Sequence, residues 1–130
     1  MRVVVVDDSL VVRRQVVNLL RERSGIEVVG EAGDLADGLR TVKETRPDFV
    51  VLDLNLPGGS GFRLVGDFKR QGLHPKVVVL TNYADDAFRQ HAEYLGVYSF
   101  LDKSNEFERI ADVIIGAKAP NRGQMDSSSV

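Results

Sequence analysis

The chain predicts an α/β fold, a doubly wound parallel sheet of five strands with helices on both faces. Three observations carry this. Val3–Val6 and Phe49–Leu52 are short apolar runs without alternation, as strands buried on both faces require. Between the apolar runs lie segments with apolar residues at helical spacing. Turn and capping residues punctuate the boundaries, and strands that alternate with helices pair in parallel through right-handed crossovers.

Taken in order, Val3–Val6 is the first strand and stops at Asp7-Asp8. Ser9 can cap the first helix, whose stripe is Val12, Val16, Leu19 and Leu20, with Arg13, Arg14, Arg21 and Glu22 off it. Gly25 ends that helix, and Ile26–Gly30 is the second strand. Asp34 caps a second helix faced by Leu35, Leu39 and Val42 and stopped by Pro47. The third strand, Phe49–Leu52, runs into Asp53. Ser60 caps a third helix with Phe62, Leu64, Val65 and Phe68 inward, closed by Gly72. Pro75 precedes a fourth strand, Val77–Leu80, ending in Thr81. The fourth helix, Ala84–Leu95, turns Ala87, Phe88, Ala92 and Leu95 inward and has Gly96 as its C-cap. Val97–Leu101 is the fifth strand, and Ser104 caps a last helix striped by Phe107, Ile110, Ala111, Ile114 and Ile115. The chain divides into one domain over 1–117 and a polar tail over 118–130, rich in serine with Pro120 and Gly123, which is expected to be flexible.

With 130 residues, a net charge of −2 and 43% hydrophobic residues, the composition is that of one globular domain. The absence of cysteine excludes disulfides, thiolate catalysis and cysteine–metal sites. The charge balance suggests neither a nucleic-acid nor a membrane surface. Met1-Arg2-Val3 leads straight into a strand without a signal-peptide pattern, so a cytoplasmic location is expected.

In a parallel sheet the carboxyl ends of the strands share one edge, where open α/β sheets bind ligands. Asp7 and Asp8 end the first strand, Asp53 the third and Thr81 the fourth, and Lys103 follows the fifth. Alone, Asp53 reads equally well as a turn former. Together the five residues make a site of three carboxylates, a hydroxyl and an ammonium. Grouped carboxylates repel unless a cation joins them, and few carboxylates with a phosphate oxygen suit Mg2+. Lys103 and Thr81 suit phosphoryl oxygens. Asp53 can then be the nucleophile that forms an aspartyl phosphate, while Asp7 and Asp8 hold the metal and the backbone carbonyl of Asn55 reaches it too.

Asp7-Asp8, Asp53 followed by Leu56-Pro57-Gly58-Gly59-Ser60-Gly61, Thr81, and Phe100-Leu101-Asp102-Lys103 together resemble the receiver domain of bacterial two-component response regulators. The likeness covers about Arg2 to Gly116, with the family's order and spacing. It implies a flavodoxin-like fold with strand order 2-1-3-4-5 and a phosphoryl group taken from a sensor histidine kinase or phosphotransfer protein. By the same likeness Asp53 is the phosphoacceptor, Asp7 and Asp8 bind Mg2+, and Lys103 and Thr81 contact the phosphoryl oxygens, beside Asn82. Phe100 is the aromatic that rotates inward as Thr81 moves. Readout is expected on the face of helix 4, strand 5 and helix 5, with Tyr94 and Tyr98 at that surface. Such a domain is not an enzyme in its own right and acts as a monomer or as a homodimer formed on phosphorylation.

Two departures from the family pattern bear on lifetime and placement. Asn82 and Tyr83 follow the switch threonine, where small residues are common, and with Asn55 they are expected to modulate the lifetime of the phosphoryl group. Ser104 follows Lys103 where many relatives have proline, so a trans bond is expected, a non-proline cis bond costing ~3 kcal/mol. Gly58-Gly59-Ser60-Gly61 lacks the lysine of a P-loop. His74 and His91 read as surface residues. Arg13 and Arg14 read as a solvated face or a kinase contact. Two alternatives stand beside the receiver reading: a fragment of a longer DNA-binding regulator, and a small Mg2+-dependent phosphohydrolase using Asp53.

Overall fold

Strand β1 (Arg2–Val6) is first in the chain but interior in the sheet, flanked in parallel by β2 (Glu27–Ala32) and β3 (Phe49–Leu52). This is a computed structural model, and it describes residues 1–118. The remaining strands are β4 (Asn55–Leu56), β5 (Gly59–Ser60), β6 (Lys76–Thr81) and β7 (Ser99–Asp102). The helices are α1 (Leu10–Arg21), α2 (Leu35–Thr45), α3 (Gly61–Arg70), α4 (Asp86–Leu95) and α5 (Ile110–Lys118), the last preceded by a 3-10 turn over Phe107–Arg109. The main sheet has the order β2-β1-β3-β6-β7, which is 2-1-3-4-5 when its five strands are counted in sequence. β4 and β5 form a separate two-residue antiparallel bridge, Asn55 opposite Ser60, too short for any periodicity to announce.

Successive residues of the central strands point to opposite faces, so the unbroken valine run feeds two cores. Val4, Val6, Val50, Leu52 and Val79 pack with Val42, Leu64, Val65, Phe68 and Ala92 of α2, α3 and α4. Val3, Val5, Val51, Val78 and Leu80 pack with Val16, Val17, Leu20, Ile110 and Ile114 of α1 and α5. Each fully buried aliphatic side chain contributes roughly 1.5–3 kcal/mol.

Ser9, Asp34 and Ser60 cap α1, α2 and α3, accepting from the amides of Val12, Asp37 and Phe62. Gly96 takes a left-handed φ of 77° after α4. Its amide bonds to Glu93 and that of Val97 to Ala92, the double closure of a Schellman end. Val97 is thereby spent on the helix terminus, and β7 starts at Ser99 rather than Val97.

Other expectations shift as well. β2 continues to Ala32 and is half-exposed, because it is an edge strand. α4 begins at Asp86 under an Asp85 cap that accepts from Phe88, and this turns Ala87 outward, leaving Ala92 its one fully buried residue. Ser104 does not cap the last helix. The Asp102 carboxylate collects the amide of Ser104 and the side chain of Asn105, while Glu106 Oε1 accepts from the Asp102 amide. These bonds build a turn over 102–106 and delay α5 to Ile110. The tail expected over 118–130 lies outside the described residues from Ala119 on, and Lys118 itself belongs to α5.

Candidate functional site

The register of the sheet brings the acids together. Val6 pairs with Leu52, so Asp7 and Asp53 leave adjacent strands side by side, and the Asp53 amide donates to the Val6 carbonyl at 3.0 Å. Thr81 pairs with Asp102, and the Lys103 amide donates to the Thr81 carbonyl at 2.8 Å, which directs the lysine to the same edge. The Lys103 ammonium donates to Asp7 Oδ2 at 2.8 Å and to Asp53 Oδ2 at 3.3 Å. Asp7 and Asp53 are buried and Asp8 is exposed, and their carboxylates offer oxygens that all lie within 4.8 Å of one another.

Local turns fix each acid. Asp7 Oδ1 accepts from the Ser9 amide at 2.9 Å, so one aspartate organises the entry to α1 while its second oxygen meets Lys103. Asp53 Oδ1 accepts from the Asn55 amide at 3.4 Å. α3 starts hard against this loop. The Gly61 amide donates to the Leu54 carbonyl at 2.8 Å, and a Cβ on Gly61 would lie 2.4 Å from the Asp53 carbonyl oxygen. Only glycine permits that approach.

Burial raises the Asp53 pKa above the ordinary carboxylate value, the neighbouring Asp7 charge adds to the rise, and the Lys103 ammonium opposes it. For Lys103 burial pulls downward, but the Asp7 hydrogen bond and the charges of Asp53 and Asp7 outweigh it and leave the ammonium above its usual pKa. The protein alone therefore leaves the acidic cluster short of positive charge.

The other expected residues stand around this centre in different ways. Thr81 is fully buried, and its Oγ1 accepts from the Tyr83 amide at 3.2 Å. Asn82 is exposed, with its Oδ1 3.5 Å from the Ser104 hydroxyl. Tyr83, half exposed, lines a cavity of about 320 Å³ with Leu54, Asn55, Gly59, Ser60 and Phe88. Phe100 is half-buried below the Arg89 guanidinium, 4.8 Å from the ring centroid. Tyr94 is 84% exposed, whereas Tyr98 sets its ring edge-on against Phe49. His74 is exposed, and so is His91, whose ring nevertheless meets Phe62 edge-on at 4.6 Å. No cis peptide bond occurs among the described residues, so Lys103–Ser104 is trans.

Arg13 corrects the sequence reading. It is neither a solvated residue nor free for a partner: its Nε donates to Glu31 at 3.1 Å and its Nη1 to the Asp7 carbonyl at 2.7 Å. Arg14 is exposed. The roles of Arg13 and Glu31 escaped the sequence because both depend on strand register, and that of Gly61 because it depends on how the loop after β3 folds back on Asp53. The one signal was Glu31 standing just beyond the expected end of the second strand.

Comparisons with known proteins agree on the family. Residues 3–115 match the response regulator receiver domain. A protein-glutamate methylesterase/protein-glutamine glutaminase of Koribacter versatilis is 38% identical, over 88% of this chain and 33% of its own length. The transcriptional regulatory protein LiaR of Bacillus subtilis is 33% identical, over 95% of this chain and 57% of its own. The chain thus spans between a third and somewhat over half of these curated relatives. Among solved structures, the signal receiver domain of the response regulator NarL from Mycobacterium tuberculosis superposes with a TM-score of 0.84 at 29% identity, covering 92% of this chain and 97% of that one. With the fold and the match over residues 3–115 in agreement, the chain belongs to the response regulator receiver domain family.

Proposed function

We propose that this receiver accepts a phosphoryl group on Asp53 from a sensor histidine kinase or phosphotransfer protein, with Mg2+ bound. The observation that carries this is the Lys103 ammonium bridging Asp7 and Asp53 within an acidic cluster still short of positive charge. An all-oxygen donor set of that kind fits a hard divalent cation. Asp7, Asp8, Asp53 and the backbone carbonyl of Asn55 would hold it, and when bound it supplies neutralising charge to the phosphoryl oxygens.

An Asp53 carboxylate oxygen attacks phosphorus in line, the O–P bond forms as the P–N bond to the donor imidazole breaks, and the imidazole leaves as the neutral ring, the bond's electron pair on the freed nitrogen and a proton already on the other. Lys103 offsets charge on the phosphoryl oxygens, and Asp7 holds Lys103 in place. Thr81 donates its hydroxyl once it turns from the Tyr83 amide, and Phe100 follows into the space that opens. Contacts made only with phosphate present bias the two-state equilibrium, and about 5 kcal/mol of differential binding moves it from mostly inactive to mostly active. The face of α4, β7 and α5 then presents the change to a target protein, as a monomer or a homodimer. Asn55, Asn82 and Tyr83 border the phosphoryl position and set its lifetime.

We place this chemistry in the cytoplasm, where sensor kinases deliver phosphate. No described helix is long and apolar enough to cross a membrane. The DNA binding named for relatives such as the activator DevR/DosR of Mycobacterium tuberculosis belongs to a protein of which this chain spans 47%. Its transfer here would require an output domain joined to the receiver.

Intact-mass spectrometry after incubation with acetyl phosphate and Mg2+ tests the reading. A single phosphoryl adduct is expected on the wild type, dependent on Mg2+ and absent from Asp53→Asn. Turnover of many phosphoesters per chain would instead establish the phosphohydrolase. No adduct, together with no beryllofluoride binding, would end the phosphoacceptor proposal.

A further inference from the structure

We propose that Arg13, clamped by Glu31, is a positioning residue for the divalent cation, holding the Asp7–Asp8 backbone where both carboxylates serve the metal. The inference rests on the metal-binding reading above. Asp8 is the exposed member of the acidic trio, and what fixes its side chain is the course of the backbone that leaves β1. That course is pinned from three directions. The Asp7 amide donates to Ala32 at 3.0 Å, the Asp7 carboxylate holds Ser9 and Lys103, and the Asp7 carbonyl accepts from Arg13 Nη1 at 2.7 Å.

Of the three, only the third grips the Asp7 backbone with a side chain. Arg13 sits one helical turn beyond the Ser9 cap, and its Nε meets Glu31 Oε1 at 3.1 Å, at the end of the edge strand. A planar guanidinium with divergent donors makes both bonds at once, which an ammonium on a flexible stem cannot reproduce. Gly33 leaves the guanidinium its room: a Cβ there would stand 3.2 Å from Nη1 and 3.9 Å from the Asp7 carbonyl oxygen. Outer partners that orient metal ligands typically govern affinity by about 10–100-fold.

The guanidinium is also a positive charge near a cation site, and this makes the proposal sharp. Acting through its field alone, Arg13 would repel the metal, and Arg13→Ala would bind Mg2+ more tightly. As a positioning residue it acts in the opposite direction. Mg2+ affinity by titration calorimetry on the full chain, without any phosphodonor, separates the two.

About tenfold weaker binding is expected for Arg13→Ala, and a similar loss for Arg13→Lys, which keeps the charge and loses the fork. Gly33→Ala, which crowds the guanidinium without changing any charge, is expected to fall between these and the wild type. Glu31→Gln, which retains an acceptor for Nε, is expected to stay within about threefold of the wild type. Phosphorylation by acetyl phosphate should show a raised half-saturating Mg2+ concentration with an unchanged rate at saturation, a split that general destabilisation would not give. Tighter binding in Arg13→Ala, or wild-type affinity in both Arg13→Lys and Gly33→Ala, would overturn the proposal. Failure of the wild type to bind Mg2+ would instead remove the metal-binding reading on which it rests.

Discussion

The two ends of the site are built to different standards. On one side β1 and β3 are buried over Val3–Val6 and Phe49–Leu52, and their last hydrogen bonds hand Asp7 and Asp53 to each other at fixed separation. On the other, α4 buries only Ala92 completely and β7 only Leu101, while Tyr83, Tyr94 and Tyr98 stand at the surface. Elements with few buried apolar contacts open at low free-energy cost. Under the proposed function the contrast divides labour: the half that would hold carboxylates for in-line chemistry is packed solid, and the half that would move is loosely held.

The largest effect is expected at Gly61. A Cβ within 2.4 Å of the Asp53 carbonyl must push α3 from the loop, and Gly61→Ala should lose about 3 kcal/mol or more by urea denaturation, with weakened Mg2+ binding. A loss below about 1 kcal/mol would show that the solid half can yield. Next come paired truncations. Leu52→Ala, at a side chain with no exposed surface, is expected to cost about 3 kcal/mol, and Leu95→Ala, at the half-buried end of α4, about 1 kcal/mol. Equal costs would erase the contrast.

Charge gives a smaller effect with a definite sign. Burial, the Asp7 charge and the opposing Lys103 leave the folded-state pKa of Asp53 above its unfolded value. Its stabilising contribution is therefore complete below the unfolded pKa and lost as pH rises through the folded one. Without metal, Asp53→Asn should melt a few degrees higher than the wild type at pH 7, with the gap closing as the solution is acidified below the ordinary aspartate range. Saturating Mg2+ should stabilise the wild type and so narrow the gap. A gap that widens on acidification would contradict the raised pKa.

The smallest effect belongs to the less buried half. Arg89 stacks on Phe100, donates to the Phe100 carbonyl at 3.4 Å and pairs with Glu106 at 3.7 Å. Cation–π contacts and exposed ion pairs are each worth below about 1 kcal/mol, so Arg89→Ala should barely shift global stability. It should instead accelerate amide hydrogen exchange selectively over 86–102. Uniform acceleration across β1 and β3 would mean that the two halves open together.

Much of the fold was legible because it is written in local chemistry. Unbroken valine runs can only be central strands, and Ser9, Asp34 and Ser60 cap helices from their own side chains. The strand-end acids and Lys103 were legible because parallel pairing sends every strand end to one edge. Signals failed where two local preferences competed. Ser104 is a good cap by type, but the Asp102 carboxylate claimed its amide for a turn. Ala87 faces outward because Asp85, not a residue before Ala84, starts α4. The Arg13–Glu31 clamp was invisible for another reason: nothing in a sequence tells which edge-strand residue a helix side chain will meet until the register is known.

The bridge between Lys103 and Asp7 joins groups 96 residues apart along the chain. During synthesis the first strand leaves the ribosome long before the lysine that completes its acidic pocket. Until then the carboxylates of Asp7 and Asp53 lack the Lys103 counter-charge, and the sheet lacks β7. Under the proposed function the site is thus complete only after Lys103 has been made and β7 has paired, and chains interrupted ahead of Lys103 would be poor phosphoacceptors.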